Sequence, residues 1–368
     1  MNNCIFIDLT ALSRTITGIE NYTLNLCCSL MENMPHHFKC HLLFRKEIHP
    51  AFIEYQGHHT LSISPFKSQF ITEQFYIPML LLLNKFYLCF FPCFPPGFIV
   101  KKRIITICYD AAMWKFRHTL SLKNKMYFRP LSERALKNAK TVFTISDSSQ
   151  KDIEDIFPIV KGKIFNISAA LPTSFSGHLD GSFQEVSRKY SIKGKYFITV
   201  GSIEPRKNLQ FLLETIAPIL KNKEMKLVLV GRTAWGSKEL ENRINELNIS
   251  NFLIKTGYIS IQELRILYKN AECFIFPSLY EGFGFPILEA FSCDCPVITS
   301  NVSSMPFVAG KAALLVDPTN SQMLKEAILN IVTSQDLKSK LVIKGREQLK
   351  LFTWEKCAKD FIKVISAY

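Results

Sequence analysis

At 368 residues, 48% of them apolar and 21% charged, the chain is long enough for two domains of ordinary size and lacks the composition of a disordered or fibrous protein. Its net charge of +14 is uneven: between Lys101 and Lys140 stand eleven Lys or Arg against two acids, Asp110 and Glu133. Such a patch attracts nucleic acid, an anionic membrane face or a phosphorylated substrate, or is only a solvated helix face; with no zinc-finger spacing or RNA-binding aromatic signature, no nucleic-acid role is expected.

The N-terminus, Met1-Asn-Asn-Cys-Ile-Phe-Ile-Asp8, has no basic region followed by a long apolar segment, so no signal peptide is expected and the protein is placed in the cytoplasm. Eleven cysteines without framework or zinc-ribbon spacing predict reduced thiols and no metal site. The apolar segment Phe75–Phe91 is interrupted by Pro78 and by Asn84-Lys85. It reads as a helix ending near Lys85 and a buried strand from Phe86 to Phe91, not as a membrane span.

In chain order, Cys4–Asp8 is a short apolar strand, and Thr17-Gly18-Ile19 leads into a helix whose Tyr22, Leu26 and Leu30 share one face. Strands are predicted at His41–Phe44, Tyr87–Phe91, Ile104–Cys108 and Thr141–Ile145, with helices at Ile71–Lys85, Leu122–Asn138 and Asp147–Ile156. This alternation predicts an α/β fold with a parallel sheet covered on both faces. Ser146-Asp147-Ser148 reads first as a helix N-cap cluster.

From Leu171 to Gly194 the pattern gives way to Pro, Gly and Ser, which marks a domain boundary. The second half restarts with a strand at Tyr196–Val200, then a helix at Asn208–Leu220 and a strand at Lys226–Val230. A helix at Ile261–Lys269 opens on a capping box, Ser260 with Glu263. Strands at Phe274–Phe276, Val297–Thr299 and Leu314–Val316 complete a second doubly wound sheet. Two Rossmann-like halves are the architecture this suggests.

Three loops of the second half fall where such a sheet presents its carboxyl edge: Gly201-Ser-Ile-Glu-Pro-Arg-Lys-Asn208, Gly231-Arg-Thr-Ala-Trp-Gly236 and Pro277-Ser-Leu-Tyr-Glu-Gly-Phe-Gly-Phe-Pro-Ile-Leu-Glu-Ala290. The last sets two carboxylates, Glu281 and Glu289, on either side of a glycine turn, with Pro286 suited to the first position of a helix. Arg206 and Lys207, between a strand and a helix, can reach an anion at a helix start, and a diphosphate is the natural guest. Surface cations are the plain alternative, more so for Arg232.

These loops, with Thr256-Gly-Tyr-Ile-Ser260, Pro296-Val-Ile-Thr-Ser-Asn301, Ala312-Ala-Leu-Leu-Val-Asp-Pro318 and Phe352-Thr-Trp354, resemble glycosyltransferase family 4, the retaining nucleotide-sugar transferases of GT-B fold, and among them bacterial surface-polysaccharide mannosyltransferases. The resemblance implies two Rossmann-like domains facing a central cleft. Residues 1–175 would bind the acceptor, 176–194 would be a linker, 195–350 would bind the nucleotide sugar, and 351–368 would be a C-terminal helix packing back on the first domain.

It further implies that Glu281, with Arg206 and Lys207, acts on the donor's sugar and diphosphate, and that Glu289 holds the ribose hydroxyls. Gly282, Phe283, Gly284, Phe285, Pro286, Ile287, Gly201, Ser202, Arg232 and Gly18 would line the donor site. Tyr109 and Asp110 stand where many members carry His-Asp, with His118 nearby, as candidates on the acceptor side. No cofactor is implied. No Asp-x-Asp occurs, so fixed cations rather than a metal would receive the leaving group.

The implied function is transfer of a sugar, first mannose from GDP-mannose, to a lipid-linked or oligosaccharide acceptor in surface-polysaccharide synthesis. Another UDP- or dTDP-linked donor, a non-transferring sugar-nucleotide enzyme such as an epimerase, and a non-catalytic partner subunit remain alternatives. The Lys101–Lys140 patch and the aromatic Phe86–Phe98 region would seat the protein on the inner face of a membrane.

Overall fold

A computed structural model describes residues 3–13, 18–100, 103–117, 122, 124–232 and 237–368. The chain divides into two units, residues 1–172 with 353–368, and residues 173–352. Each is built on one all-parallel sheet.

The first sheet holds β1 (Cys4–Asp8), β2 (Lys39–Phe44), β3 (Thr60–Ile63), β4 (Leu88–Phe91), β5 (Ile104–Ile107), β6 (Thr141–Thr144) and β7 (Ile164–Asn166), in the spatial order β3-β2-β1-β4-β5-β6-β7. The order runs outward on both sides of the β1/β4 pair, so the connections after these two strands leave in opposite directions. A crevice opens there beyond the carboxyl ends of the strands. The central strands are apolar throughout because helices cover both faces; Phe6, Phe90 and Phe143 are fully buried.

The second sheet holds β8 (Tyr196–Val200), β9 (Lys226–Val230), β10 (Leu253–Gly257), β11 (Phe274–Phe276), β12 (Val297–Ser300) and β13 (Ala313–Val316), in the order β10-β9-β8-β11-β12-β13. This is the same winding, with its switch between β8 and β11. Helix Leu209–Lys223 lays Leu212, Leu213, Ile216 and Leu220 into the core, on the face that the four-residue spacing predicts. Ser146 caps helix Asp147–Ile156, and Ser260 with Glu263 forms the capping box of helix Ile261–Asn270.

Several elements differ from expectation. Strands β3, β7 and β10 are missing from the sequence reading, because each is short and at least half exposed or flanked by polar residues. The stretch 176–194, expected as a linker, contains helix Phe183–Lys189, held by a capping box of Ser182 and Glu185, and belongs to the second unit. Helix Ile71–Lys85 begins earlier, as one run of α-helix Gln69–Ile71, a π-turn Thr72–Tyr76 and α-helix Ile77–Leu83. The predicted helix from Leu122 likewise opens with a π-turn, Asn124–Phe128, before α-helix Arg129–Asn138.

Helix Trp354–Ile365 packs within the first unit. Phe361 lies 4.7 Å from Phe90 and 4.6 Å from Phe143, Trp354 meets Tyr22 edge-on at 5.2 Å, and the Trp354 indole donates to the Leu171 carbonyl at 2.9 Å. These aromatic contacts bury large apolar area, worth roughly 1.5–3 kcal/mol for each side chain fully removed from water.

Candidate active site

The second sheet's switch point decides which loops meet. The loop after β8 carries Gly201 to Asn208 and the loop after β11 carries Pro277 to Gly284; since β8 and β11 are neighbours, the two lie side by side. They are bolted together by main-chain and amide contacts. Leu279 N–H donates to the Arg206 carbonyl at 2.8 Å, and the Asn208 side-chain amide donates to the carbonyls of Pro277 at 3.2 Å and Pro318 at 2.7 Å. Asn208 takes the left-handed conformation, φ 57°, that ends the turn Pro205–Lys207 and starts helix Leu209–Lys223.

Between these loops sits one carboxylate. Glu281 accepts from Arg206 Nη1 on Oε2 and from Lys207 Nζ on Oε1, both at 2.7 Å, and its side chain is 9% exposed. Arg206 also donates from Nε to Glu204 at 2.9 Å and from Nη1 to the Tyr280 carbonyl at 3.2 Å. Lys207, itself buried, lies 4.6 Å over the Phe276 ring. Two acids and two cations thus form a chain, Glu204–Arg206–Glu281–Lys207, with no formal net charge.

Burial works to raise the pKa of Glu281, but the charges of Lys207 and Arg206 outweigh it and hold the carboxyl below its ordinary value. The backbone of Glu281 is fixed as well: its carbonyl accepts from Ser303 Oγ at 2.7 Å and Ser304 Oγ at 2.9 Å, and Ser304 also reaches the Phe283 carbonyl at 2.7 Å. Sequence reasoning missed Glu204, Ser303 and Ser304. The two serines follow β12, next to β11 in the sheet, and only that adjacency could have found them.

Helix Phe285–Ser292 starts after Gly284, whose φ of 109° turns the chain into it. Pro286 occupies the second helical position, not the first, and Ile287 N–H is already bonded to the Gly284 carbonyl at 2.9 Å. Of the five positions Phe283 to Ile287 expected to offer amides to a diphosphate, Pro286 has no N–H and Ile287 has spent its own. Phe283, Gly284 and Phe285 are the ones left to face an anion at the helix start. Gly282 is buried in the same turn.

Glu289, on the second turn of this helix, stands apart from Glu281 in chemistry. Burial pushes it up to about 7, against the Tyr268 hydroxyl and the Lys207 charge, which pull the other way. Tyr268, fully buried, donates to it at 3.3 Å. Lys207 therefore acts on both carboxylates, with a direct bond to one only.

Beyond the ends of β8, β9 and β11 lies a cavity of about 70 Å³ bounded by Gly201, Ser202, Lys207, Gly231 and Phe276. Gly231, φ 147°, comes so close to the neighbouring strand end that a Cβ there would lie 2.0 Å from the Gly201 carbonyl oxygen. A Cβ on Gly201 would in turn press on Lys207 Cε at 3.1 Å. Both glycines are required by close approach. Arg232 is exposed; its carbonyl accepts from Ile203 N–H at 3.1 Å, while its guanidinium lies 4.9 Å over the Tyr258 ring and not in the Glu281 cluster. Residues 233–236 of that loop lie outside the described residues.

In the first unit, Tyr109 and Asp110 border a largely apolar cavity of about 290 Å³ with Cys93, Phe94, Ile107 and Trp114. The Tyr109 hydroxyl donates to the Pro92 carbonyl at 2.7 Å and the ring packs edge-on against Tyr22, so this side chain ties β4's loop to the first helix. Asp110 accepts from Ala112 N–H at 2.8 Å. Gly18 opens helix Gly18–Asn33, and a Cβ there would meet nothing within 4 Å. His118 and Thr17 lie outside the described residues. Among the described residues no three His, Cys, Asp or Glu come together as a metal site.

The family described as Glycosyl transferases group 1 matches residues 182–348. The chain is 29% identical over 264 residues to O-antigen chain mannosyltransferase B of Escherichia coli, covering 71% of this chain and 69% of that protein. It is 28% identical over 241 residues to the serotype-specific mannosyltransferase WbdA of Escherichia coli, covering 64% of this chain but only 29% of that longer protein. The crystal structure of Anabaena Alr3699/HepE in complex with UDP-glucose superposes with a TM-score of 0.68 at 15% identity, covering 99% of each chain, and shares the two-Rossmann-domain GT-B fold.

Proposed function

We propose, on the premise that the chain is a glycosyltransferase belonging through residues 182–348 to the Glycosyl transferases group 1, that it moves mannose from GDP-mannose, with retention, onto a lipid-linked or oligosaccharide acceptor during O-antigen-type surface-polysaccharide synthesis. The sugar and the pathway rest on the names of its mannosyltransferase relatives. The observation that carries the site is the pair of cations, Arg206 and Lys207, held on one buried carboxylate at a sheet switch point.

In this reading the second unit holds the donor and the first unit the acceptor. The diphosphate lies against the amides of Phe283 to Phe285 and draws on Arg206 and Lys207, which Glu281 keeps at fixed positions and out of bulk water. Such preorganised charge costs no reorganisation as the leaving group gains charge. The C1–oxygen bond to the diphosphate breaks, the acceptor oxygen bonds C1 on the same face, and its proton passes to a phosphate oxygen. Glu281 orients sugar hydroxyls, and Glu289, once ionised, accepts from the ribose diol.

A thermal-shift panel of GDP-mannose, UDP-glucose and dTDP-linked sugars, followed by transfer assays with the strongest binder, tests the reading. Greater stabilisation by GDP-mannose with mannosyl transfer is expected. A preference for a UDP sugar, the guest in the Anabaena structure, would overturn the donor; isomerised donor in the absence of acceptor would overturn transfer itself.

A further inference from the structure

We propose that Phe352 is a positioning residue for the donor's diphosphate: its ring seats Phe283, and with it the turn whose amides face the anion. The inference rests on the donor reading above. It adds a residue that touches no substrate and lies far along the chain from the turn it serves.

Phe283 has little of its own to hold it. It stands between Gly282 and Gly284, so neither neighbour brings a side chain to restrain the backbone, and Gly284 is already in the left-handed region at φ 109°. Two anchors from elsewhere take that role. Ser304 Oγ donates to the Phe283 carbonyl at 2.7 Å, and the Phe283 ring packs edge-on against Phe352, with centroids 5.6 Å apart and planes at 85°. Phe285 lies 5.2 Å from Phe283, but it belongs to the same segment and cannot fix that segment from outside.

Phe352 is itself held. Its ring meets Phe307 at right angles, again 5.6 Å apart, and its N–H donates to the Leu349 carbonyl at 3.1 Å, just past the end of helix Gln335–Leu349. That helix is pinned at two points. Gly345 lies so close to Phe291, on helix Phe285–Ser292, that a Cβ would stand 2.9 Å from Phe291 Cδ1. The Gln348 amide donates to the carbonyls of Phe307 at 3.3 Å and Val308 at 3.2 Å. One helix therefore braces the end of Phe285–Ser292 through Gly345 and the turn before it through Phe352.

The shape of the contact matters more than the area it buries. An edge-on aromatic pair is directional, because the positive ring edge meets the negative face, whereas a leucine of similar size fills the space without setting a direction. Amides stabilise an anion only when they are aimed at it beforehand. A nucleoside without phosphates gains nothing from these amides, and Glu289, assigned to the ribose, is held by Tyr268 and not by Phe352. Loss of the Phe352 edge should thus be felt at the diphosphate alone.

Titration calorimetry with GDP and with UDP, and ligand-observed NMR with the matching nucleosides, test this. Whichever diphosphate the unaltered chain binds more tightly should bind Phe352→Leu about tenfold more weakly, with nucleoside affinity unchanged. Phe283→Leu should show a similar loss, and the double variant no more than Phe283→Leu alone, because both act through one contact. Leu341→Ala, which truncates a buried side chain of the same bracing helix, should lower the melting temperature and leave diphosphate affinity as it is. Equal losses for diphosphate and nucleoside, additive losses in the double variant, a like loss in Leu341→Ala, or undiminished diphosphate binding by Phe352→Leu overturn the proposal. Failure of the unaltered chain to bind either diphosphate overturns the donor reading, and this proposal with it.

Discussion

The two sheets wind alike, yet their switch points hold opposite chemistry. At β8/β11 a buried carboxylate is neutralised by two cations, and the local backbone is locked by serines and an asparagine. On the β1 side of β1/β4, Asp8 and Glu73 are buried, and among the described residues no cation bonds to either. Asp8 is satisfied by the Thr10 amide at 3.0 Å and hydroxyl at 2.6 Å, and Glu73 by the Gln69 amide and Tyr127. Burial therefore raises both acids, Glu73 to about 7. One fold supplies the crevice twice; the described charges brought to it set the protonation of its buried acids in opposite directions.

The contrast breaks most readily at Lys207. Lys207→Ala should leave Glu281 buried with one cation, at a cost of about 3–5 kcal/mol in chemical denaturation, and lower transfer by about 100-fold or more. Lys207→Met with Glu281→Gln, which removes both charges, should recover much of the stability and none of the activity. If the double variant is no more stable than Lys207→Ala, the pair is not coupled.

Glu73→Gln probes the other crevice. An acid whose folded value is raised holds its proton longer folded than unfolded. Its destabilising share is thus absent below about pH 4.5, grows as pH rises, and levels above about 7, reaching roughly 3 kcal/mol for a shift of this size. The variant should be the more stable chain at pH 8 and comparable at pH 4.5. A parallel pH profile for the two would show that the carboxyl is not desolvated.

Gly231→Ala sets a bulky Cβ against the Gly201 carbonyl. A loss of about 1–3 kcal/mol and weaker nucleotide binding are expected, while Gly18→Ala, where a Cβ meets nothing within 4 Å, should leave the stability unchanged.

The smallest effect concerns Glu289. Because only its ionised form accepts two hydroxyl protons, donor affinity measured by calorimetry should rise a few-fold from pH 6 to pH 8, as the carboxyl ionises near 7. Glu289→Gln should bind with little dependence on pH over that window.

Much of this was legible in the residues. Four-residue spacing placed helix Leu209–Lys223 and its buried face, and apolar runs placed β8, β9, β11 and β12, because a buried parallel strand leaves no polar alternation to misread. Glycine and proline punctuation located the two loops of the second crevice. Short half-exposed strands such as β3 and β10 lack that signal. Lys207 and Glu281 could be named as a cation and an acid at loop positions, but 74 residues of chain separate them, and no local pattern states that they bond.

What the sequence by itself determined is therefore the periodicity, the turns and the set of charged groups on offer, since these depend on neighbours a few residues apart. Tertiary structure alone decided which charges meet, which acid is held ionised and which is pushed up to about 7, and that the apolar run before β4 faces water while β4 does not. Those outcomes follow from strand order and desolvation, which are properties of distant segments brought together.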